Sequence, residues 1–250
     1  MARNNFLFLL MTVFLCSCAN KDITLKNLLG SNGGGNSSED SDEVRRDPIL
    51  VQSEQSIMLE NDEDDVESAA SEGYEHLVHG EWANNLYFGY WDYPQYEATY
   101  SSFRFFLKKA IPKGAKVIKA FLDIRGTGSV GWNSQKHFLE ISATDSKSSP
   151  QISEFSDVIG KNNGYQETQT IIRWPKQGGL DWNEQGLNRT PDLSALIQEL
   201  VDKYDGLDKG SSITLWLKTS LLERSAEVMA ADYGHKDFHT KLSISAEYKE

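Results

Sequence analysis

Lys241–Tyr248, KLSISAEY, alternates without a break: Leu242, Ile244, Ala246 and Tyr248 fall on one side of an extended chain, Lys241, Ser243, Ser245 and Glu247 on the other. Successive strand side chains point to opposite faces, so one apolar set at a period of two predicts a strand buried on one face and wet on the other. VIKAFLDIR (117–125) repeats the pattern, with Ile118, Ala120, Leu122 and Ile124 against Lys119, Asp123 and Arg125. SITLWLKT (212–219) repeats it with Ile213, Leu215 and Leu217. Parallel strands are buried on both faces and read as continuous apolar runs, so half-buried strands between turn-rich stretches imply antiparallel pairing. The expected fold is all-β, an antiparallel β-sandwich of jelly-roll type. Further strands are expected at Leu86–Tyr90, Phe103–Leu107, Phe138–Thr144, Gln169–Trp174 and Ala226–Ala230.

One short amphipathic helix interrupts the strands. Leu193, Leu196, Ile197, Leu200 and Val201 recur at helical spacing, Thr190 is placed to cap, and Pro191 suits the first helical position. An apolar stripe has to be buried, so the helix is expected to lie against the sandwich.

The strand-bearing part, residues 73–250, is long and aromatic enough for one domain with its own core. Residues 18–72 differ: SNGGGNSSEDSDE and ENDEDDVESAASE are poor in aromatics and rich in Gly, Ser and acid, which predicts a disordered tether. The tether carries much of the formal net charge of -12, so that charge says little about the domain's own binding face. The acidic balance argues against nucleic acid as a partner. NDEDD (61–65) offers hard oxygen ligands for a structural calcium ion. It lacks the alternating spacing and the glycine of an EF-hand loop, and is read as a solvated charge run.

Both cysteines lie in LCSCAN (15–20), at the end of the apolar run Phe6–Leu15 that follows Arg3. This is the layout of an export signal, and the run is shorter than the ~20 residues of a spanning helix. Leu15, Cys16, Ser17 and Cys18 resemble a bacterial lipobox. The resemblance implies that residues 1–17 are removed and that Cys18 becomes an N terminus carrying fatty acyl chains such as palmitate. The protein is then extracytoplasmic and lipid-anchored, with the membrane as its first partner. Ala19 resembles the signal for outer-membrane delivery in a two-membrane bacterium. No thiol would remain for a disulfide, so the domain has to be held by its core.

Three stretches stand in order: SSFRFFLKKAIPKGAKVIKAFLDIRG (101–126), IIRWPKQGGLDWNEQGLNRTPDLSALIQELVDK (171–203), and ITLWLKTSLLERSAEVMAADYG (213–234) closing on FHTKLSISAEY (238–248). Over most of Tyr74–Tyr248 they resemble the DNRLRE-type domains of secreted bacterial proteins, which are β-sandwich modules of the carbohydrate-binding kind. Arg104, Ile111, Pro112, Gly114 and Ala120 match the strand–turn–strand of those modules, and Thr190–Ile197 match their helix. Lys108 and Lys109 depart from it, standing where relatives usually carry an acid or a serine. The resemblance implies a non-catalytic module that binds polysaccharide or cell-surface glycan. The alternative is a structural or adhesive lipoprotein that binds a surface protein.

Aromatic faces stack on sugar rings while polar neighbours fix orientation. WDYPQY (91–96) supplies Trp91, Tyr93 and Tyr96 around Pro94 in what reads as a loop. Trp182, in LDWN (180–183), is a further candidate. Phe121 and Trp216 fall on the polar faces of their strands, beside Lys119, Asp123 and Lys218, where they form a flat platform unless the helix covers them. The basic turn KKAIPKGAK (108–116) offers attraction for an acidic polysaccharide, or simply keeps a turn soluble. The chain has no Gly-x-Ser-x-Gly elbow and no phosphate loop, and of its two cysteines Cys16 lies in the leader and Cys18 is the expected lipidation position. His235 with His239, and His76 with His79, lack the glutamate of a zincin and read as polar loop, so no cofactor or metal is expected beyond the structural calcium considered above. A polysaccharide-cleaving enzyme, built from acids that converge in space, is the weaker reading.

Overall fold

Alternation in the sequence becomes a run of antiparallel strands in the computed structural model, which describes residues 48–71, 74–79, 85–90, 98–130, 137–160, 164–219, 226–231 and 240–250. Strands β1 (Leu50–Met58), β2 (Asp65–Ser71), β3 (Tyr74–His79), β4 (Asn85–Tyr90) and β5 (Ala98–Phe106) open the fold. Next come β6 (Ile111–Pro112), β7 (Lys116–Val130), β8 (Leu139–Ala143), β9 (Ile172–Trp174) and β10 (Leu187–Arg189). The helix α1 (Ser194–Lys203) precedes β11 (Gly206–Leu207), β12 (Ser212–Thr219), β13 (Ala226–Ala231) and β14 (Lys241–Lys249). The fold is an all-β sandwich. Its front layer runs β1-β14-β7-β10 and its back layer β3-β2-β5-β12-β8-β9, with β13 and β4 joining β7 to β5. Strand β7 pairs with three strands: its first part with β14, its middle also with β10, and its last part with β13.

The core lies between the layers. Ala120, Leu122 and Ile124 of β7, with Leu242, Ile244 and Ala246 of β14, meet Phe103, Phe105, Leu139, Ile141, Ile213, Leu215 and Leu217 of the back layer. At one end Phe88 tilts against Phe103 at 6.0 Å and Trp182 sets its edge to Trp174 at 5.8 Å. The alternation read for β7 breaks at Ile118, which is half-buried. The register against β14 slips between Ser245 and Ala246, leaving Ile118 as the extra residue of a bulge and putting Val117 in the core instead.

Helix α1 begins later than its sequence signals imply, because Thr190 and Asp192 are engaged elsewhere. Leu122 donates its N–H to Thr190 Oγ1 at 3.0 Å, and Ala120 donates to Asp192 Oδ1 at 3.0 Å. Thr190 and Leu193 donate in return to the carbonyls of Leu122 and Ala120. The segment thus extends β10 along the edge of β7, and Asp192 Oδ1 also accepts the N–H of Ser194, the first helical residue. Leu196, Ile197, Leu200 and Val201 enter the main core, where the helix seals the edge of β7.

The boundary expected at residue 72 is wrong: the fold reaches back to Ile49, whose carbonyl accepts the N–H of Glu250 at 3.1 Å. β1 pairs with β14 along its whole length, and its alternation is hidden in the sequence because an amide occupies an inward position. Gln55 is buried, and its side chain accepts the N–H groups of Lys108 and Lys109 and donates to the Lys109 carbonyl. Three hydrogen bonds replace the apolar contact expected there. Gln55→Ala should therefore lower stability by about 1 kcal/mol, read as a shift in the urea midpoint; a tether residue would give none. NDEDD is corrected with it. Asp64 and Asp65 are buried, and Asp64 turns onto Arg104 at 3.5 Å and accepts the N–H of Asn61. Burial pushes the Asp64 carboxyl above its ordinary value, although Arg104 draws it down.

Candidate functional site

The outward residues of the front layer stand in cross-strand rows fixed by register. Glu54, Ser245 and Lys119 form one row across β1, β14 and β7, and Ser56, Ser243 and Phe121 form the next. Between the rows Gln55, Ile244 and Ala120 point into the protein, so the rows stand clear as walls and floor. They line an open groove of about 420 Å³. Its chemistry is three hydroxyls, one carboxylate, one ammonium and one aromatic ring. A ring among hydroxyl donors and acceptors can stack a sugar and orient it.

A third row bounds the groove: Met58, Lys241, Asp123 and Arg189 lie side by side on β1, β14, β7 and β10. Asp123 is buried, while Arg189 reaches it from the surface with two hydrogen bonds of 2.6 and 2.9 Å. Lys241 adds its ammonium at 3.5 Å. The hydrogen bonds from Arg189 hold the Asp123 carboxyl below its ordinary value against the opposing push of burial, with Lys241 helping. The same guanidinium lies 5.6 Å from the centre of the Phe121 ring, so Asp123 fixes the cation that flanks the ring.

Of the six aromatics singled out by sequence, Phe121 alone is placed at an accessible site among the described residues. Trp91, Tyr93 and Tyr96 lie outside the described residues, as does Cys18. Trp182 is corrected to a core residue, packed edge-on between Phe88 and Trp174. Trp216 is corrected likewise: it is fully buried on the outer side of β12, but the helix is not its cover. Ile152, Phe155, Val158, Ile159 and Tyr165, in the segment between β8 and β9, close over it with Val66 and Tyr100. Its indole N–H donates to Thr144 Oγ1 at 2.8 Å.

No protein-family model matches this chain, and no curated protein matches it.

Two groove residues, Glu54 and Ser56, escape the sequence reading because β1 falls in the stretch read as tether. Ile57 and Leu59, two apart and both buried, are the signal that could have found them. In the basic turn, Lys113 pairs with Asp205 at 2.9 Å and Lys109 donates to the Glu54 carbonyl, so these two lysines serve the turn and the edge of β1. Among the described residues no cluster of three acids, histidines or cysteines is placed to hold a metal ion.

Proposed function

We propose that this chain is a lipid-anchored extracytoplasmic module, anchored through Cys18, whose front face binds glycan. The groove across β1, β14 and β7 carries this reading, because Phe121 stands there among Ser56, Ser243, Ser245, Glu54 and Lys119. The sequence resemblance to carbohydrate-binding modules supports it, and it moves the binding site from the expected loop aromatics to the sheet.

The test is binding of the whole chain to a broad panel of oligosaccharides, with and without calcium. Selective, saturable binding that weakens about tenfold in Phe121→Ala and leaves the unfolding midpoint nearly unchanged is the expected result. Unchanged binding in Phe121→Ala would remove this groove as the site. A second reading is favoured by the edge of β1, which among the described residues pairs only with β14 and could accept an extended segment of a partner protein. A defined protein complex after cross-linking on cells, with no glycan bound, would select that reading.

A further inference from the structure

We infer that the glycan taken by the front face is acidic and membrane-borne: the headgroup of an anionic glycolipid. This rests on the glycan reading of the groove and names its ligand class.

The face displays three chemistries together. The first is the sugar-sized groove itself, with its hydroxyls and Phe121. The second is positive charge. Lys116, Lys119, Arg125, Arg189, Lys241 and Lys249 point outward from the front layer, against Glu54, Asp123 and Glu247, in a chain whose overall charge is -12. Asp123 is engaged by Arg189 and Lys241, and Glu247 keeps its charge while accepting from the neutral Gln52 amide at 2.7 Å, so the excess on this face is six cations against three acids. Lys119 is paired with no acid among the described residues and is exposed in the groove wall. A ligand with negative groups is the complement of such a surface.

The third chemistry separates a membrane-borne glycan from a soluble one. Leu50, Met58 and Leu187 are 59%, 48% and 50% exposed, and all three lie on this face by register. Leu50 and Met58 mark the two ends of β1, about 26 Å apart at ~3.3 Å per residue, and Leu187 marks the far strand, β10, about 14 Å across. Exposed aliphatic side chains at the rim of a basic surface have nothing to gain from a hydrated polymer. At a bilayer they reach the acyl boundary while the cations meet the headgroups. A molecule with sugar, anionic group and acyl chain matches all three.

The experiment uses the mature chain from residue 18 onward carrying Cys18→Ser, so that neither the apolar leader nor an acyl group contributes, and measures co-sedimentation with phosphatidylcholine vesicles. The vesicles contain lipid A (an acylated, phosphorylated glucosamine disaccharide), phosphatidylglycerol, or a neutral galactolipid. Binding to lipid A vesicles at least tenfold tighter than to the other two is expected. Lys116→Glu with Lys119→Glu should weaken it about tenfold, and Lys209→Glu, in the turn before β12, should leave it unchanged. Equal binding to lipid A and phosphatidylglycerol would overturn the inference in favour of a general anionic surface. Binding of a soluble neutral oligosaccharide without any vesicle preference would overturn it and leave the glycan reading standing. Failure to bind oligosaccharides and vesicles alike would overturn both.

Discussion

Trp216→Ala should lower stability by about 4 kcal/mol, whereas Phe121→Ala should cost less than about 1 kcal/mol. Both aromatics alternate with apolar residues on their strands and look equivalent in the sequence. Trp216 is fully buried in a second cluster behind β12, and its indole N–H is satisfied by Thr144. Truncation removes its packing, opens a cavity and strands the Thr144 hydroxyl. Phe121 faces the groove and loses only partial burial. Urea unfolding followed by two probes reads the difference as a large midpoint shift for one variant and a small one for the other. Equal shifts would mean that the front face is covered, and would remove the proposed site.

The second large effect is expected at Asp123. Asp123→Asn should cost about 2 to 3 kcal/mol, at or below the ~3–5 of a fully enclosed pair, because Arg189 and Lys241 can turn to water once released. Its pH dependence gives the sign of the mechanism. The folded carboxyl is held below its ordinary value, so its contribution is fully present above the unfolded value of ~3.9 and is lost as pH falls through the folded one. The gap between parent and variant should therefore be constant near neutrality and close under acid conditions. Asp64 acts in the opposite sense: its raised value favours the protonated form in the fold, so acidification relieves a cost there. Asp64→Asn should accordingly make the acid limb at least as steep while Asp123→Asn flattens it, as measured by urea midpoints between about pH 3 and 7.

Strands were legible wherever one face is buried and the other wet. KLSISAEY needed nothing more, since every inward residue of β14 through Ala246 is buried and its outward serines remain accessible. The pattern misled where a strand is covered twice. On β12 Ser212, Thr214 and Trp216 are as buried as Ile213, Leu215 and Leu217, because the segment after β8 folds back over them. It was silent on β1, where Gln55 sits inward with its hydrogen bonds supplied by residues more than fifty positions away.

By itself, then, the sequence determined the class of fold, the strand segments and the existence of one helix, because these follow from local periodicity and from the need to bury one apolar face. Tertiary structure alone decided which polar-face aromatic is open and where the fold begins. It also decided why α1 starts at Ser194: Thr190 and Asp192 bond to the backbone of β7 instead of capping at the expected place. The groove is of the same kind. Its residues come from β1, β14 and β7, the first strand, the last, and one midway between them, and only cross-strand register makes neighbours of Ser56, Ser243 and Phe121. Register depends on long-range pairing, so no local reading of the chain could have assembled that site.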